Sequence, residues 1–166
     1  MNYLQIDKAS ISNGPGVRVV LWVAGCSLHC KGCQNPESWD VNAGKLFDED
    51  AKKQLFEALS KPYIKGITFS GGHPFEKENR AEIYSLCKEI KDTYPTKDIW
   101  LYTGYTYEFI LNRTILDIIA LCDVIVDGPY IEEQRDITLK FRGSINQRLI
   151  DVKETIKQGK IVTIQN

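Results

Sequence analysis

The sequence VRVVLWVA, at residues 17–24, decides the fold class of this chain. Its nearly continuous run of apolar and β-branched residues is typical of a strand buried on both faces, as in a parallel sheet covered by helices. We also predict a short strand at residues 3–6. Four shorter runs resemble the first and predict further strands, at residues 66–69, 99–102, 123–126 and 161–164.

Segments with the apolar spacing of helices lie between these runs. Asp48 is the predicted N-cap of the first helix, whose buried face holds Ala51 and Leu55. The second helix carries an apolar stripe over residues 83–94. The remaining helices are predicted at residues 109–119, with a break near 112–114, and at residues 147–158, with an end at Gly159.

The alternation of strands and helices predicts an α/β fold with a parallel sheet and right-handed crossovers. A complete barrel of eight such units needs roughly 250 residues, and this chain has 166. We therefore predict an open, partial parallel β/α barrel of about five to six βα units, in a single domain at residues 1–166. In such folds the ligand site lies at the carboxyl ends of the strands.

The composition is that of an ordinary globular protein, with 43% apolar and 26% charged residues. Its 21 basic and 22 acidic side chains give a net charge of -1. This balance argues against a nucleic-acid or anionic-membrane surface built on bulk charge. We find neither an apolar run long enough for a membrane span nor the pattern of a secretory signal, and we expect a cytoplasmic protein.

Three of the five cysteines lie in GCSLHCKGCQNP, residues 25–36, directly after the first long strand. We call this segment the cysteine loop. An odd cysteine count in a chain without a signal argues against a disulfide framework, and three cysteines within eight residues point to metal binding. Three thiolates can hold three irons of a cubane cluster and leave the fourth iron open. A structural zinc site is the alternative, although His29 has little freedom to be its fourth ligand. The other two cysteines, Cys87 and Cys122, are predicted to be small core residues.

A second loop with unusual residues follows the strand at residues 66–69 and reads Ser70-Gly71-Gly72-His73-Pro74-Phe75. We call it the glycine loop. Two glycines at a strand end allow the backbone to approach a ligand closely. A neutral imidazole at His73 can accept one hydrogen bond from an ammonium group but cannot supply its counter-charge. Alternatively, His73 only packs the turn before Pro74.

The C-x3-C-x2-C spacing after a buried strand, followed by the glycine loop, resembles the radical S-adenosylmethionine enzymes. The resemblance implies that three cysteines hold a [4Fe-4S] cluster, whose open iron is chelated by S-adenosylmethionine and whose electron cleaves it to a 5′-deoxyadenosyl radical. The metal ligands so implied are Cys26, Cys30 and Cys33. The implied cofactor contacts are Gly32, Cys33, Gln34, Gly71, Gly72 and His73.

Two positions depart from the pattern of that superfamily. His73 stands where the glycine-glycine-acid motif has the acid that positions the methionine amino group. Gly32 stands where many members have an aromatic residue near the adenine, so the resemblance leaves that contact to the backbone of Gly32 and Gln34.

Further blocks narrow the resemblance to activating enzymes of glycyl-radical proteins, and within them to the activators of anaerobic ribonucleoside-triphosphate reductase. These blocks are NGPGVR at 13–18, CQNPESW at 33–39, WLYTGY at 100–105, VDG at 126–128 and RGSINQR at 142–148. The resemblance implies hydrogen abstraction from a glycine of the large subunit of that reductase, with an external electron donor such as flavodoxin.

The small size of the chain agrees with a macromolecular partner. Little sequence remains for a lid, and a reactive radical must be shielded from solvent, so we expect the partner to fill the open barrel. Two alternatives stay open: activation of another glycyl-radical enzyme such as pyruvate formate-lyase, and a zinc or iron–sulfur module without catalysis.

Overall fold

The computed structural model describes residues 1–111 and 115–165, in which seven strands form one sheet in the order β3-β1-β2-β4-β5-β6-β7. The strands are β1 (Asn2–Ser10), β2 (Val17–Val23), β3 (Lys45–Leu46), β4 (Ile64–Gly71), β5 (Asp98–Tyr102), β6 (Val124–Asp127) and β7 (Arg148–Asp151).

Five α-helices lie within the same residues, together with short 3-10 helices at Pro36–Ser38 and Glu132–Gln134. They are α1 (Glu49–Leu59), α2 (Arg80–Thr93), α3 (Tyr107–Ile110), α4 (Leu116–Leu121) and α5 (Val152–Gln158). None of the helices in this part of the chain is long and apolar enough to cross a membrane. The predicted break at 112–114 lies outside the described residues.

Two of the predicted helix boundaries are confirmed by their capping contacts. The Asp48 side chain accepts a hydrogen bond from the Ala51 amide at 2.9 Å, which is the geometry of an N-cap. At the other end of the chain, α5 stops at Gly159, which has a φ of 68°. Glycine adopts this left-handed conformation without the steric cost of a Cβ atom.

The sheet confirms the α/β class and its parallel centre, formed by β2, β4, β5 and β6. The strands outside this centre, β1, β3 and β7, pair antiparallel with their neighbours. The parallel part thus contains four strands rather than the five or six predicted. The linear strand order leaves β3 and β7 as the two edges of an open sheet.

The end of the chain differs most from the prediction. The helix predicted from residue 147 begins only at Val152, because Arg148–Asp151 forms β7 beside β6. Leu149 and Ile150 are both fully buried and pack into cores on opposite faces of the sheet, which a strand allows and a helix does not. With β7 in this place, the strand predicted at 161–164 is reduced to a single bridge between Thr163 and Ile150.

The two faces of the sheet are covered differently. One face packs against the helices in the larger core, which includes Val19, Leu21 and Val23 of β2 and the buried thiols of Cys87 and Cys122, as predicted. The opposite face carries a smaller apolar cluster, to which Trp100, Val124, Val126, Leu149, Tyr102, Phe141 and Ile164 belong. The candidate functional site opens on this second face.

A buried arginine joins the centre of the sheet. The Arg18 side chain is 0% exposed, and its Nε donates to Thr68 Oγ1 at 2.9 Å while Nη2 reaches Asp98 Oδ1 at 2.7 Å. Its Nη1 donates to the Pro15 carbonyl at 3.0 Å. Because every donor group of a buried guanidinium needs a partner, these contacts fasten the NGPG segment to three neighbouring strands.

Candidate metal and cofactor site

A cavity of about 370 Å³ lies on the second face of the sheet, where the loops after β2, β4, β5 and β6 meet. Its size is within the range of small-molecule sites, about 300–1,000 Å³. The structure brings to its wall all but one of the residues predicted for the site: Cys26, Cys30, Cys33, Gln34, Gly71, Gly72 and His73.

The exception is Gly32, which is not among the lining residues. Its φ is 75°, and a Cβ atom placed on it would lie 2.6 Å from the carboxyl carbon of Glu132. The space beside Gly32 is therefore occupied by the exposed Glu132 side chain, which would have to move away from a larger residue, and the positive φ itself disfavours one.

The cysteine loop is shaped by the protein backbone. The Gly25 amide donates to the Ser38 carbonyl at 2.7 Å, and the Cys26 amide donates to the Trp39 carbonyl at 3.0 Å. Within the loop, the Cys33 amide closes a turn onto the Cys30 carbonyl at 3.0 Å. These bonds hold three free, half-buried thiols along one side of the cavity.

Three thiols in one loop are the donor set of a cubane cluster with one open iron. Each cysteine of a cubane cluster binds a different iron, whereas a structural zinc site draws its ligands around one point. Among the described residues, no group of three or more His, Cys, Asp or Glu side chains is arranged to hold one metal ion. The exposed His29 ring stacks on Trp39 with centroids 4.3 Å apart and does not line the cavity.

One further contact suits iron-bound sulfur. The Asn35 amide donates to Cys33 Sγ at 3.4 Å, an interaction that stabilises a thiolate. Burial raises the pKa of the Cys26 thiol against the opposing bonds from the loop backbone. A positively charged metal centre favours the deprotonated form of such a thiol.

The glycine loop lies against the cysteine loop. A Cβ atom on Gly72 would stand 2.6 Å from the Gly25 carbonyl oxygen. That carbonyl accepts the His73 amide at 2.7 Å, and the Gly72 amide donates to the Val23 carbonyl at 2.8 Å. Gly72 is therefore needed for contact between two loops of the protein, in addition to the close ligand approach expected from the sequence.

A buried asparagine strengthens the same junction. Asn79 is 0% exposed, and its Nδ2 donates to the Ala24 carbonyl at 2.9 Å and to the His73 carbonyl at 3.1 Å. One side chain thus ties the residue before the cysteine loop to the glycine loop. The local sequence does not indicate this role, because Ala24 lies 55 residues away and is brought in by the sheet.

The His73 side chain lines the cavity and is also held by its neighbours. It is 1% exposed, its Nε2 lies 2.7 Å from Thr103 Oγ1, and its ring stands edge-on to Tyr105 with centroids 4.4 Å apart. On the other side, Nδ1 lies 3.5 Å from Glu76 Oε1. The two expectations for His73, a place at the cavity and packing in the turn, are therefore compatible.

Glu76 is another residue of the site that the sequence analysis does not predict. Its Oε1 accepts hydrogen bonds from the Ser27 amide at 2.8 Å and from the Ser27 hydroxyl at 2.7 Å, inside the cysteine loop. The nearby His73 ring and then the Ser27 bonds lower the pKa of Glu76 to about 2, although burial opposes them. At 3.5 Å the His73 contact is the longer one, so Ser27 is the firmer partner. The sign of this role in the sequence is the presence of an acidic residue three positions after His73.

The RGSINQR block, which reads as a polar loop in isolation, closes one side of the cavity. Gln147 Oε1 accepts from the amides of Gly143 at 2.9 Å and Ser144 at 3.1 Å, while Nε2 donates to the Gly128 carbonyl at 3.2 Å. Arg142 donates to the Gln147 carbonyl through Nη1 at 3.2 Å. Its Nε is buried and has no hydrogen-bond partner in the described structure, so it is a donor available to a ligand.

An ion-pair network anchors Arg148, the last residue of this block. Arg148 bonds through Nη2 at 2.5 Å and Nε at 3.1 Å to Asp127, which is 1% exposed, and also contacts Glu108 at 2.8 Å. The two carboxylates raise the pKa of the Arg148 guanidinium, first through Asp127. Because Asp127 also accepts the Tyr107 amide at 2.9 Å, the network joins β6, β7 and α3.

Comparison with known proteins agrees with this site. Residues 12–150 match the family described as "4Fe-4S single cluster domain". The chain is 45% identical over 149 residues to the anaerobic ribonucleoside-triphosphate reductase-activating protein of Enterobacteria phage T4, covering 90% of this chain and 93% of the relative. It is 40% identical to the proteins of the same name from Haemophilus influenzae and Escherichia coli K12, covering 89% of this chain and 96% of each relative. With its cysteine loop and most of its length matched, the chain belongs to the family of anaerobic ribonucleoside-triphosphate reductase-activating proteins.

Proposed function

We propose that this chain is a radical S-adenosylmethionine enzyme that generates a glycyl radical on the large subunit of an anaerobic ribonucleoside-triphosphate reductase. The observation that carries the proposal is the convergence of the cysteine loop and the glycine loop on one cavity at the carboxyl ends of parallel strands. The names of the relatives support the choice of reductase as partner.

The residues present fit the two groups that this chemistry requires. Cys26, Cys30 and Cys33 would hold a [4Fe-4S] cluster and leave one iron for S-adenosylmethionine. When bound together, the reduced cluster and S-adenosylmethionine supply the 5′-deoxyadenosyl radical that removes a hydrogen atom from the glycine of the partner. The glycine loop and the unpartnered Arg142 Nε offer the polar contacts for the amino-acid part of the cofactor.

The chain itself would position and shield these groups. The backbone bonds of Gly25 and Cys26 fix the cysteine loop, and the Gln147 bonds hold the RGSINQR block as a wall of the cavity. A fixed wall excludes water and orients the reacting atoms. The open sheet supports a partial barrel, in which the glycine-bearing segment of the reductase would enter from the uncovered side.

The domain organisation, the location and the electron donor of the protein are proposed as well. Residues 1–166 would act as a single domain in the cytoplasm and receive electrons from a donor such as flavodoxin. The balanced charge, 21 basic against 22 acidic residues, supports a role without nucleic-acid or membrane binding.

The proposal is tested by purifying the protein without oxygen, reconstituting it with iron and sulfide, reducing it and adding S-adenosylmethionine. We expect an electron paramagnetic resonance signal that shifts on addition of the cofactor, with release of methionine and 5′-deoxyadenosine. The Cys26→Ala variant should lose this signal, whereas Cys87→Ala, which removes a core thiol, should retain it. One zinc per chain without sulfide, or a cluster that does not respond to the cofactor, would refute the proposal.

The partner is tested separately. The reduced, cofactor-loaded protein is incubated with the large subunit of the anaerobic reductase or with pyruvate formate-lyase, and the glycyl radical is measured by its resonance signal. We expect the radical on the reductase. A radical formed only on pyruvate formate-lyase would assign the chain to another glycyl-radical system.

A further inference from the structure

A chain of polar side chains links three loops of the cavity wall. It starts at Ser27 in the cysteine loop, which donates to Glu76 Oε1 through its amide and hydroxyl. It continues from Glu76 to His73 Nδ1 at 3.5 Å, and from His73 Nε2 to Thr103 Oγ1 at 2.7 Å. The loops that follow β2, β4 and β5 are thereby connected; His73 and Thr103 are buried, Glu76 is half-buried and Ser27 is exposed.

The neighbours of the imidazole decide which of its nitrogens carries the proton. Nδ1 of His73 is buried, and among the described residues it has no hydrogen-bond partner at ideal geometry. Its facing group is the Glu76 carboxylate, and a movement of about 0.5 Å completes a hydrogen bond to it. A lone pair on Nδ1 would instead point at a negative charge in a buried place, which is unfavourable. The geometry thus favours the proton on Nδ1.

This proton position determines what Thr103 offers to the cavity. With Nδ1 protonated, Nε2 of His73 is an acceptor, and the Thr103 hydroxyl donates to it. Thr103 Oγ1 also accepts the Tyr105 amide at 3.1 Å. A hydroxyl has one donor and two acceptor positions, so the remaining position of Thr103, which lines the cavity, is an acceptor.

An acceptor at this point has a specific use in the cavity. The residues that line the described cavity include Arg142 but no aspartate or glutamate. A cationic ligand group placed there must find its acceptors on hydroxyls and carbonyls, backed by a carboxylate outside the wall. Glu76, whose carboxylate accepts two hydrogen bonds from Ser27, is such a group and faces the wall through His73.

We infer that Glu76, His73 and Thr103 form a relay that presents the Thr103 hydroxyl as an acceptor to the ammonium group of the bound cofactor. Thr103 is the contacting group, and Glu76 and His73 are positioning residues that orient it. The inference rests on the proposed function for the identity of the ligand. It also accounts for the histidine at position 73, because the acid is displaced by three residues and acts through the ring.

The relay itself is tested without any cofactor. The chain has two histidines, His29 and His73, so the full-length protein labelled with 15N-histidine gives two sets of ring signals, which the His29→Asn variant assigns. We expect the His73 ring to carry its proton on Nδ1. The Glu76→Gln variant should change these signals, and Glu78→Gln, which removes an exposed carboxylate nearby, should not. A ring protonated on Nε2, or on both nitrogens, overturns the relay.

The contact with the ammonium group is tested by binding of S-adenosylmethionine to the reconstituted, oxidised protein in anaerobic dialysis. We expect Glu76→Gln and Thr103→Val to weaken binding by roughly 10- to 100-fold, the usual size of a hydrogen bond to a charged group. Glu78→Gln should bind as the wild type does, and Thr103→Ser, which keeps the hydroxyl, should recover most of the affinity that Thr103→Val loses. The circular dichroism spectrum of each variant verifies that it is folded.

A cofactor analogue without the amino group separates this role from a general weakening of the site. The analogue should bind equally to the wild type and to Thr103→Val, because it lacks the group that Thr103 receives. Equal losses for the cofactor and the analogue contradict the inference, as does wild-type affinity in Thr103→Val. If the wild type itself does not bind S-adenosylmethionine, the proposed function fails, while the histidine signals still decide whether the relay exists.

Discussion

The Arg18 guanidinium lies 2.7 Å from the Asp98 carboxylate, and this contact joins β2 to β5 across the intervening strand β4. Arg18 is fully buried, whereas the Asp98 side chain is 23% exposed. The positive charge of the buried Arg18 is therefore balanced by a carboxylate that is partly exposed to solvent.

The Asp98→Asn variant tests this dependence. It leaves the buried guanidinium of Arg18 without its counter-charge, and we expect a loss of about 2–3 kcal/mol in the free energy of unfolding, measured with urea. Lys88→Gln removes an exposed helical pair with Asp92 and should change that free energy by less than about 0.5 kcal/mol. A similar effect of both variants would contradict the role of the Asp98 charge.

The contact between the glycine and cysteine loops leads to a prediction about metal loading. In Gly72→Ala, the new methyl group meets the Gly25 carbonyl, a backbone atom that cannot move without breaking the bond to the His73 amide. We expect a displaced cysteine loop and a reduced iron content after reconstitution. The iron content is measured per chain.

Gly159→Ala serves as the control for that variant. Its added methyl group has no atom within 4 Å, although its φ of 68° makes it unfavourable by about 1 kcal/mol. This variant should be less stable but should bind iron fully. Normal iron content in Gly72→Ala would show that the two loops can separate without loss of the site.

Acid sensitivity is predicted from Asp123, which bonds to Lys91 at 2.6 Å, to Lys153 at 3.0 Å and to the Ile99 amide at 2.8 Å. Burial favours the neutral form, but these partners outweigh it and lower the pKa of Asp123 below its ordinary 3.8. A carboxyl group with a lowered pKa in the folded state stabilises the protein above the unfolded pKa. That stabilisation is lost as the pH falls through the folded value.

Unfolding by urea at several pH values checks this prediction. The wild type should be clearly more stable than Asp123→Asn at neutral pH, and the difference should shrink below about pH 4. Asp117→Asn, which makes the same charge change on the exposed face of α4, should not show such a converging difference. A difference in the free energy of unfolding between the wild type and Asp123→Asn that stays constant with pH would contradict the prediction.

The RGSINQR block is predicted to depend on one side chain. Gln147→Ala removes the acceptor of the Gly143 and Ser144 amides and the donor to the Gly128 carbonyl. We expect faster hydrogen exchange at these two amides and a stability loss of about 1–3 kcal/mol. Gln134→Ala, at an exposed position of the neighbouring turn, should leave both amides protected; equal exchange in the two variants would refute the role of Gln147.

The parts of the fold that the sequence predicts are those governed by local rules. The β2 strand is confirmed because its nearly continuous apolar run, rich in β-branched residues, is typical of a strand buried on both faces. The start of α1 is confirmed because a cap involves residues three apart, Asp48 and Ala51. By contrast, Leu149 and Ile150 read as part of a helix, since their opposite burial depends on the vacant edge of β6.

The same distinction holds for the candidate site. The cysteines and glycines are recognisable because their chemistry requires these residue types in a short stretch of sequence. The environment of His73 is not, because Thr103 lies 30 residues away and meets it only through the register of β4 and β5. Glu76 was close in sequence, but its partner Ser27 belongs to a loop 49 residues earlier.

The hydrogen bonds that shape the cysteine loop come from the carbonyls of Ser38, Trp39 and Cys30, all of them atoms of the protein itself. In zinc fingers, metal binding and folding are a single event, so the metal must compensate for ordering the chain. Here the ordering of the loop belongs to the folding of the sheet. We therefore expect the loop to keep its shape when a cluster is lost, so that reloading with iron and sulfide restores the site without new synthesis of the protein.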